Sequence, residues 1–190
     1  MTRLRAVAAL MVLALTGCTS LGMASTDGPI PTPDDHGYGG FPVTVGEPVT
    51  DYFQILSNHG DKPARITSVE LIDTPRQLKL VDALIGGERT ENRQFEPQFP
   101  PTHSSVGPLV PAEGAVLEPE AAQEARGVPL TGYVLVMGLE ATEPGTWVRG
   151  GYRVSYEVAG RPYELEVVAE VTLCTDDFLE ADGSCPMEES

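Results

Sequence analysis

The chain has 190 residues, with 28 acidic against 12 basic side chains and a formal net charge of −16. A surface this acidic argues against nucleic acid as a partner, because phosphates are held by clustered Lys and Arg. It argues equally against a polybasic grip on anionic lipid.

Arg3 and Arg5 precede an unbroken apolar run, Ala6 to Leu15. As a helix these ten residues rise ~15 Å, about half a bilayer core. That length suits the hydrophobic segment of a secretory signal and is too short to span a membrane. The run ends in Leu15-Thr16-Gly17-Cys18. This resembles the lipobox of bacterial lipoproteins, in which an aliphatic residue and two small ones precede a cysteine. The resemblance covers the first eighteen residues. It implies a signal peptide over 1–17, cleavage before Cys18, and fatty acyl chains (palmitate or similar) on the new N-terminus, with a diacylglycerol on the Cys18 thiol. It also implies an exported protein, anchored in the cell membrane on its extracytoplasmic side, whose first partner is the lipid bilayer. Each buried acyl methylene contributes ~0.8 kcal/mol to such an anchor. Loss of Arg3 and Arg5 leaves −18 on the mature chain.

With Cys18 acylated, Cys174 and Cys185 remain as a pair. Outside the cytoplasm two such thiols can oxidise to a disulfide. Thiolate metal ligation is the rival reading, and no His follows Cys174 to support it.

Residues 18–46 are rich in Gly, Pro, Ser, Thr and Asp and read as a lipidated, disordered tether. A coil of that length spans on the order of 30 Å root-mean-square. The folded domain is expected over 47–175, with an acidic tail over 176–190 folded back by a Cys174–Cys185 bond. Within the domain, strand patterns run over Asp51 to Ser57, Ala64 to Ile72 and Gln77 to Ile85. A short one lies at Ala115 to Leu117, and one or two helical turns are expected over Pro119 to Arg126, behind a proline at the start. Thr131 to Leu139 is the next strand. Tyr152, Val154, Tyr156 and Val158 then alternate with polar residues. After Ala159-Gly160-Arg161-Pro162, Tyr163 to Leu173 alternate apolar residues with Glu164, Glu166 and Glu170. Period two on both sides of a glycine-containing turn predicts a long antiparallel hairpin. Short strands punctuated by turns predict an all-β sandwich.

Ser57-Asn58-His59-Gly60-Asp61-Lys62-Pro63-Ala64, followed by Ile66 and Val69-Glu70-Leu71, resembles the early hairpin of immunoglobulin-like domains in bacterial envelope proteins. Pro144-Gly145, Gly150-Gly151-Tyr152-Arg153-Val154-Ser155-Tyr156 and Gly160-Arg161-Pro162-Tyr163 are similar to the closing hairpin of uncharacterised actinobacterial lipoproteins. The resemblance implies an immunoglobulin-like antiparallel β-sandwich and carries over no catalytic residue.

Gly86 to Pro111 is the longest stretch without strand character. It holds Phe95, His103 and the run Pro97-Gln98-Phe99-Pro100-Pro101. Such a loop either presents its aromatic rings to a ligand or folds back to cap the sandwich. The single Trp, Trp147, reads as a core residue at the entry to the hairpin, with an exposed contact role as the alternative. If exposed, Phe95, Phe99 and Trp147 are the candidate binding surface for a cell-wall glycan or peptide. A Gly-x-Ser-x-Gly elbow is missing. His36, His59 and His103 lack zinc or copper spacing, and Met137 sits mid-strand as a core residue. Asp176, Asp177, Glu180 and Asp182 could take Ca²⁺ weakly, but without the regular EF-hand order. The sequence therefore predicts no enzyme, no cofactor and no metal. It predicts an envelope lipoprotein acting as an interaction or assembly module, whose partner is an envelope protein or cell-wall ligand. The alternatives are a metal-handling lipoprotein (copper, zinc or calcium) and a glycan- or peptide-binding accessory domain. Cys18→Ser is expected to release the protein from membranes or block its maturation; fractionation and gel mobility identical to the parent would refute the lipobox reading.

Overall fold

The computed structural model describes residues 24–33, 39–87, 95–102, 107–128 and 132–186. The signal segment and Cys18 lie outside the described residues. In chain order the elements are β1 (Gly40–Val43), β2 (Val49–Leu56), β3 (Ala64–Ile72), β4 (Leu78–Gly86), β5 (Phe95–Glu96), β6 (Val110–Pro111), β7 (Val116–Leu117), α1 (Glu120–Ala125), β8 (Tyr133–Ala141), β9 (Thr146–Val158) and β10 (Arg161–Thr175). A single 3-10 turn, Asp176–Phe178, follows.

Two five-stranded sheets form an all-β sandwich. Their strand orders are β1-β10-β9-β3-β7 and β5-β2-β8-β4-β6. All pairings are antiparallel except β1 with β10, where Phe41 stands opposite Leu173. Period-two patterning puts Leu165, Val167, Ala169, Val171 and Leu173 of β10 on the inner face, all buried. Leu135, Met137 and Leu139 of β8 join the same core. β8 is covered on its other face too, where Val134, Val136 and Tyr52 meet Leu84, Phe99 and Leu109. The Phe99 ring lies directly on Gly138, where a Cβ would come within 2.5 Å of it. Phe99 and Leu109 thus roof the outer face of the second sheet.

The long hairpin is the backbone of the first sheet. β10 alternates without a break, whereas β9 loses one residue of register at Gly150, opposite Ala169 and Glu170. Arg149 and Tyr152, three apart, consequently both face inward and are fully buried. Gly150 and Gly151 make the irregularity possible, since side chains there would meet Asp73 and the Val167 carbonyl.

The structure moves the start of the folded body. Residues read from composition as tether belong to the sandwich: Gly40–Val43 is a paired strand, and Ile30 is 3% exposed. Ser25 bridges Tyr163, and the Tyr156 hydroxyl accepts the Ile30 N–H at 3.3 Å. Averaged composition hides this, because backbone pairing and one or two buried aliphatics suffice to dock a segment otherwise rich in Gly and Pro. The hairpin is also longer at both open ends than its alternation indicated, since Trp147, Arg149 and Gly150 interrupt the pattern without ending the pairing.

Cys174 and Cys185 are bonded, with Cα atoms 5.7 Å apart across a separation of 11 residues. Cys185 also covers Gly40, so the bond holds the tail over the β1–β10 end. Its loop-closure entropy is about 3 kcal/mol. Replacing both cysteines by serine is expected to leave a cooperative unfolding transition with a loss at or below that value. Denaturant unfolding monitored by circular dichroism checks it, and loss of the folded baseline would contradict it.

Candidate functional site

The most unusual chemistry lies inside the sandwich. Asp51 on β2 and Arg149 on β9 face each other across the two sheets, with Oδ2 and Nη2 3.1 Å apart and side chains 3% and 0% exposed. The guanidinium lies over the Tyr152 ring, 5.6 Å from its centroid. The Tyr152 hydroxyl has no hydrogen-bond partner among the described residues. Burial pushes its pKa well above the ordinary tyrosine range; Arg149 pulls it down, and Asp51 adds to the rise. On the outer face of the second sheet, buried Glu96 accepts the Tyr52 hydroxyl at 2.7 Å, and the Thr50 hydroxyl donates to the Gln98 carbonyl. These contacts bind β5 and the 97–100 segment to β2. Both side chains are almost wholly out of water, which makes the ion pair a structural part of the core.

The accessible candidate is on the flank. One side of the sandwich is closed by a Phe41–Phe95 stack, with centroids 4.3 Å apart and planes within 5°. The opposite side, between β3 and β4, is closed along only half its length. There the chain crosses from β6 to β7, with Ala112 N–H bonded to Ala83 O at 2.8 Å and Gly114 N–H to Ile66 O at 2.9 Å. Beyond this crossing, no strand pairs with the outer edges of β3 from Ser68 to Ile72 or of β4 from Leu78 to Asp82, among the described residues. The two edges border a groove of about 490 Å³ lined by Val69, Glu70, Leu71, Pro75, Arg76, Leu78, Lys79 and Leu80, among others. Leu78 is buried, and Val69, Leu71 and Leu80 are half-buried. Arg76 and Lys79 are exposed. They make no ion pair among the described residues, whereas Glu70 is drawn toward Arg153 at 3.9 Å.

The residues singled out by sequence do not form one surface. Phe95 points inward on β5, directly opposite Asp51. Phe99 is spent on the outer roof over Gly138. Trp147 lies half-buried on β9 opposite Leu173, with its indole N–H donated to the Glu143 carbonyl at 3.1 Å. His59 is exposed on the turn before β3 and faces Glu120 at 3.2 Å. His36 and His103 lie outside the described residues. Met137 is core. Asp182 is turned onto Ser184, whose hydroxyl and N–H lower its pKa. Among the described residues no three His, Cys, Asp or Glu side chains gather as a metal-binding group, and no helix is long and apolar enough to cross a membrane. Sequence reasoning missed both the ion pair and the groove. The available signal for the pair was a lone acid and a lone base, each at an inward position of a strand.

No protein-family model matches the chain, and no curated protein is significantly similar to it.

Removing one partner of a buried ion pair strands the other charge. Arg149→Met alone is therefore expected to cost about 3–5 kcal/mol. Arg149→Met combined with Asp51→Leu is expected to recover most of that loss. Urea unfolding of the two variants checks this, and a double variant no more stable than the single one would contradict it.

Proposed function

We propose that this chain is a lipid-anchored cell-envelope protein whose sandwich works as a non-catalytic binding module. Its docking site is the β3–β4 groove, and its occupant is an extended, acidic peptide segment of another envelope protein. The observation that carries the reading is the pair of strand edges, unpaired among the described residues, that border one groove with apolar Val69, Leu71, Leu78 and Leu80 and with Arg76 and Lys79 exposed and without an ion pair among the described residues. Such edges can accept a further strand by main-chain hydrogen bonding, while alternate side chains fill the apolar positions. Arg76 and Lys79 are uncommon assets on a chain of net charge −16, and they select an acidic partner by complementarity. The module's own β6-to-β7 crossing already covers the other half of that flank with extended backbone.

The anchor rests on the Leu15-Thr16-Gly17-Cys18 lipobox. The finer, immunoglobulin-like reading of the sandwich is supported by strand order. β2, β8 and β4 form one sheet and β10, β9 and β3 the other, with β1 running parallel along the edge of β10. That is the arrangement of strands B-E-D and G-F-C in immunoglobulin-like domains.

A fluorescent peptide alternating valine and glutamate is the probe. Saturable binding by anisotropy, weakened by salt, is expected for the parent protein. Arg76→Glu with Lys79→Glu is expected to weaken it by about tenfold or more, a change of about 1.4 kcal/mol. Arg161→Glu, on the distant hairpin turn, is expected to leave it unchanged. Absence of saturable binding, or equal binding by all three proteins, would overturn the groove as the docking site.

A further inference from the structure

We infer that the sandwich is held on the bilayer with one fixed polarity. The end carrying the 58–63 turn, α1 and the β9–β10 turn faces the lipid headgroups, and the disulfide end points away. This rests on the proposed acylation of Cys18 and adds to it the orientation of the domain.

The leash is short. Ser25 is already part of the fold: its N–H bonds Pro162 O at 3.3 Å, and its carbonyl accepts the Glu164 N–H at 2.9 Å. The chain stays docked from there to Ile30. Gly28 lies beneath Tyr156 and Tyr163, where a Cβ would have no room, and those two rings stack at 5.5 Å. The Pro29 carbonyl accepts the His59 N–H at 2.9 Å, and Ile30 is buried. Six residues lie between Cys18 and Ser25, seven steps of chain. Fully extended they reach about 25 Å. The sandwich is longer than that: from Tyr163, opposite Ser25, β10 runs on to Thr175, roughly 40 Å at strand spacing. A membrane-bound Cys18 therefore cannot allow the disulfide end to sit on the bilayer with the Ser25 end uppermost.

Charge decides between the two remaining postures, upright and lying flat. The disulfide end carries Glu47, Asp73, Glu143, Asp176, Asp177, Glu180 and Asp182 against Arg76 and Lys79. The Ser25 end carries Asp27, Asp61, Glu118, Glu120, Glu124 and Glu157 against Lys62, Arg126 and Arg161, and is the less negative of the two. Anionic headgroups repel the disulfide end the more strongly within about a Debye length, and lying flat would bring that end to the surface. The upright posture follows. It leaves the β3–β4 groove on the flank, its Arg76 and Lys79 end farther from the bilayer than the 58–63 turn.

The test uses the full lipidated chain in vesicles of phosphatidylcholine with phosphatidylglycerol, carrying an energy-transfer acceptor on the headgroups. A donor is attached through Asp61→Cys on the 58–63 turn or Glu143→Cys at the disulfide end. Flotation first establishes anchoring. Transfer is expected to be severalfold greater from position 61 than from position 143. Inserting a Gly/Ser stretch of about 20 residues before Ser25, a flexible coil, is expected to narrow the difference. A protein that floats yet transfers equally from both positions, or more from position 143, overturns the polarity alone. A protein that does not float overturns the anchor and the polarity together.

Discussion

The ion pair between Asp51 and Arg149 is the constraint around which the interior is arranged. Two opposite charges face each other across the sheets at 3.1 Å, almost wholly out of water. Desolvating both is costly, and their attraction offsets that cost only in one geometry. The pair therefore acts on the relative placement of the sheets, because a slip of one against the other would separate the charges inside the core. The change of register at Gly150 and Gly151 belongs to the same arrangement. It turns Arg149 inward along with Tyr152, so the guanidinium has an aromatic face beside it as well as a carboxylate in front.

Around that centre the two flanks are treated differently. On one, Phe41 and Phe95 stack and close the space between the sheets. Phe95 can do this because β5 pairs with β2 at Asp51, which fixes its ring on the inner face. On the other, the chain closes the gap only where 110–117 crosses between the sheets. Edge strands left open invite pairing, and the bulges in β3 and β4, with Lys79 beside them, limit that pairing to a suitable occupant. An acidic strand meets that condition.

The N-terminal segment links the fold to the proposed anchor. Residues 24–30 contribute few large side chains, yet they are fastened by backbone bonds to the β9–β10 hairpin and to the 58–63 turn. Fastening a chain so soon after a lipid-bearing cysteine changes what a tether means. On the proposed anchor, the domain would not be free to tumble above the surface, and its ends would become distinguishable.

Much of this architecture was legible in the chain. The pattern over Ala64 to Ile72 coincides with β3 at both ends, and the alternation over Tyr163 to Leu173, broken only by Val168 on the outer face, marks β10. The cysteine count, with one thiol set aside for acylation, pointed to the 174–185 bond. These features are local: a period, a turn residue, a parity of thiols. What only the tertiary structure decided is non-local. Phe95 and Phe99 look alike in sequence, four residues apart, but one is packed between the sheets and the other on the outer roof, because pairing with β2 ends between them. Asp51 and Arg149 lie 98 residues apart, and nothing near either one announces its partner. Residues 24–33 and 39–43 have the composition of a linker, and only the free hydrogen-bonding edge of β10 and the tyrosine rings of the hairpin turn them into structure. Composition and period determine which segments become strands and which faces are apolar; which edge is covered, and by what, depends on contacts that no stretch of sequence contains by itself.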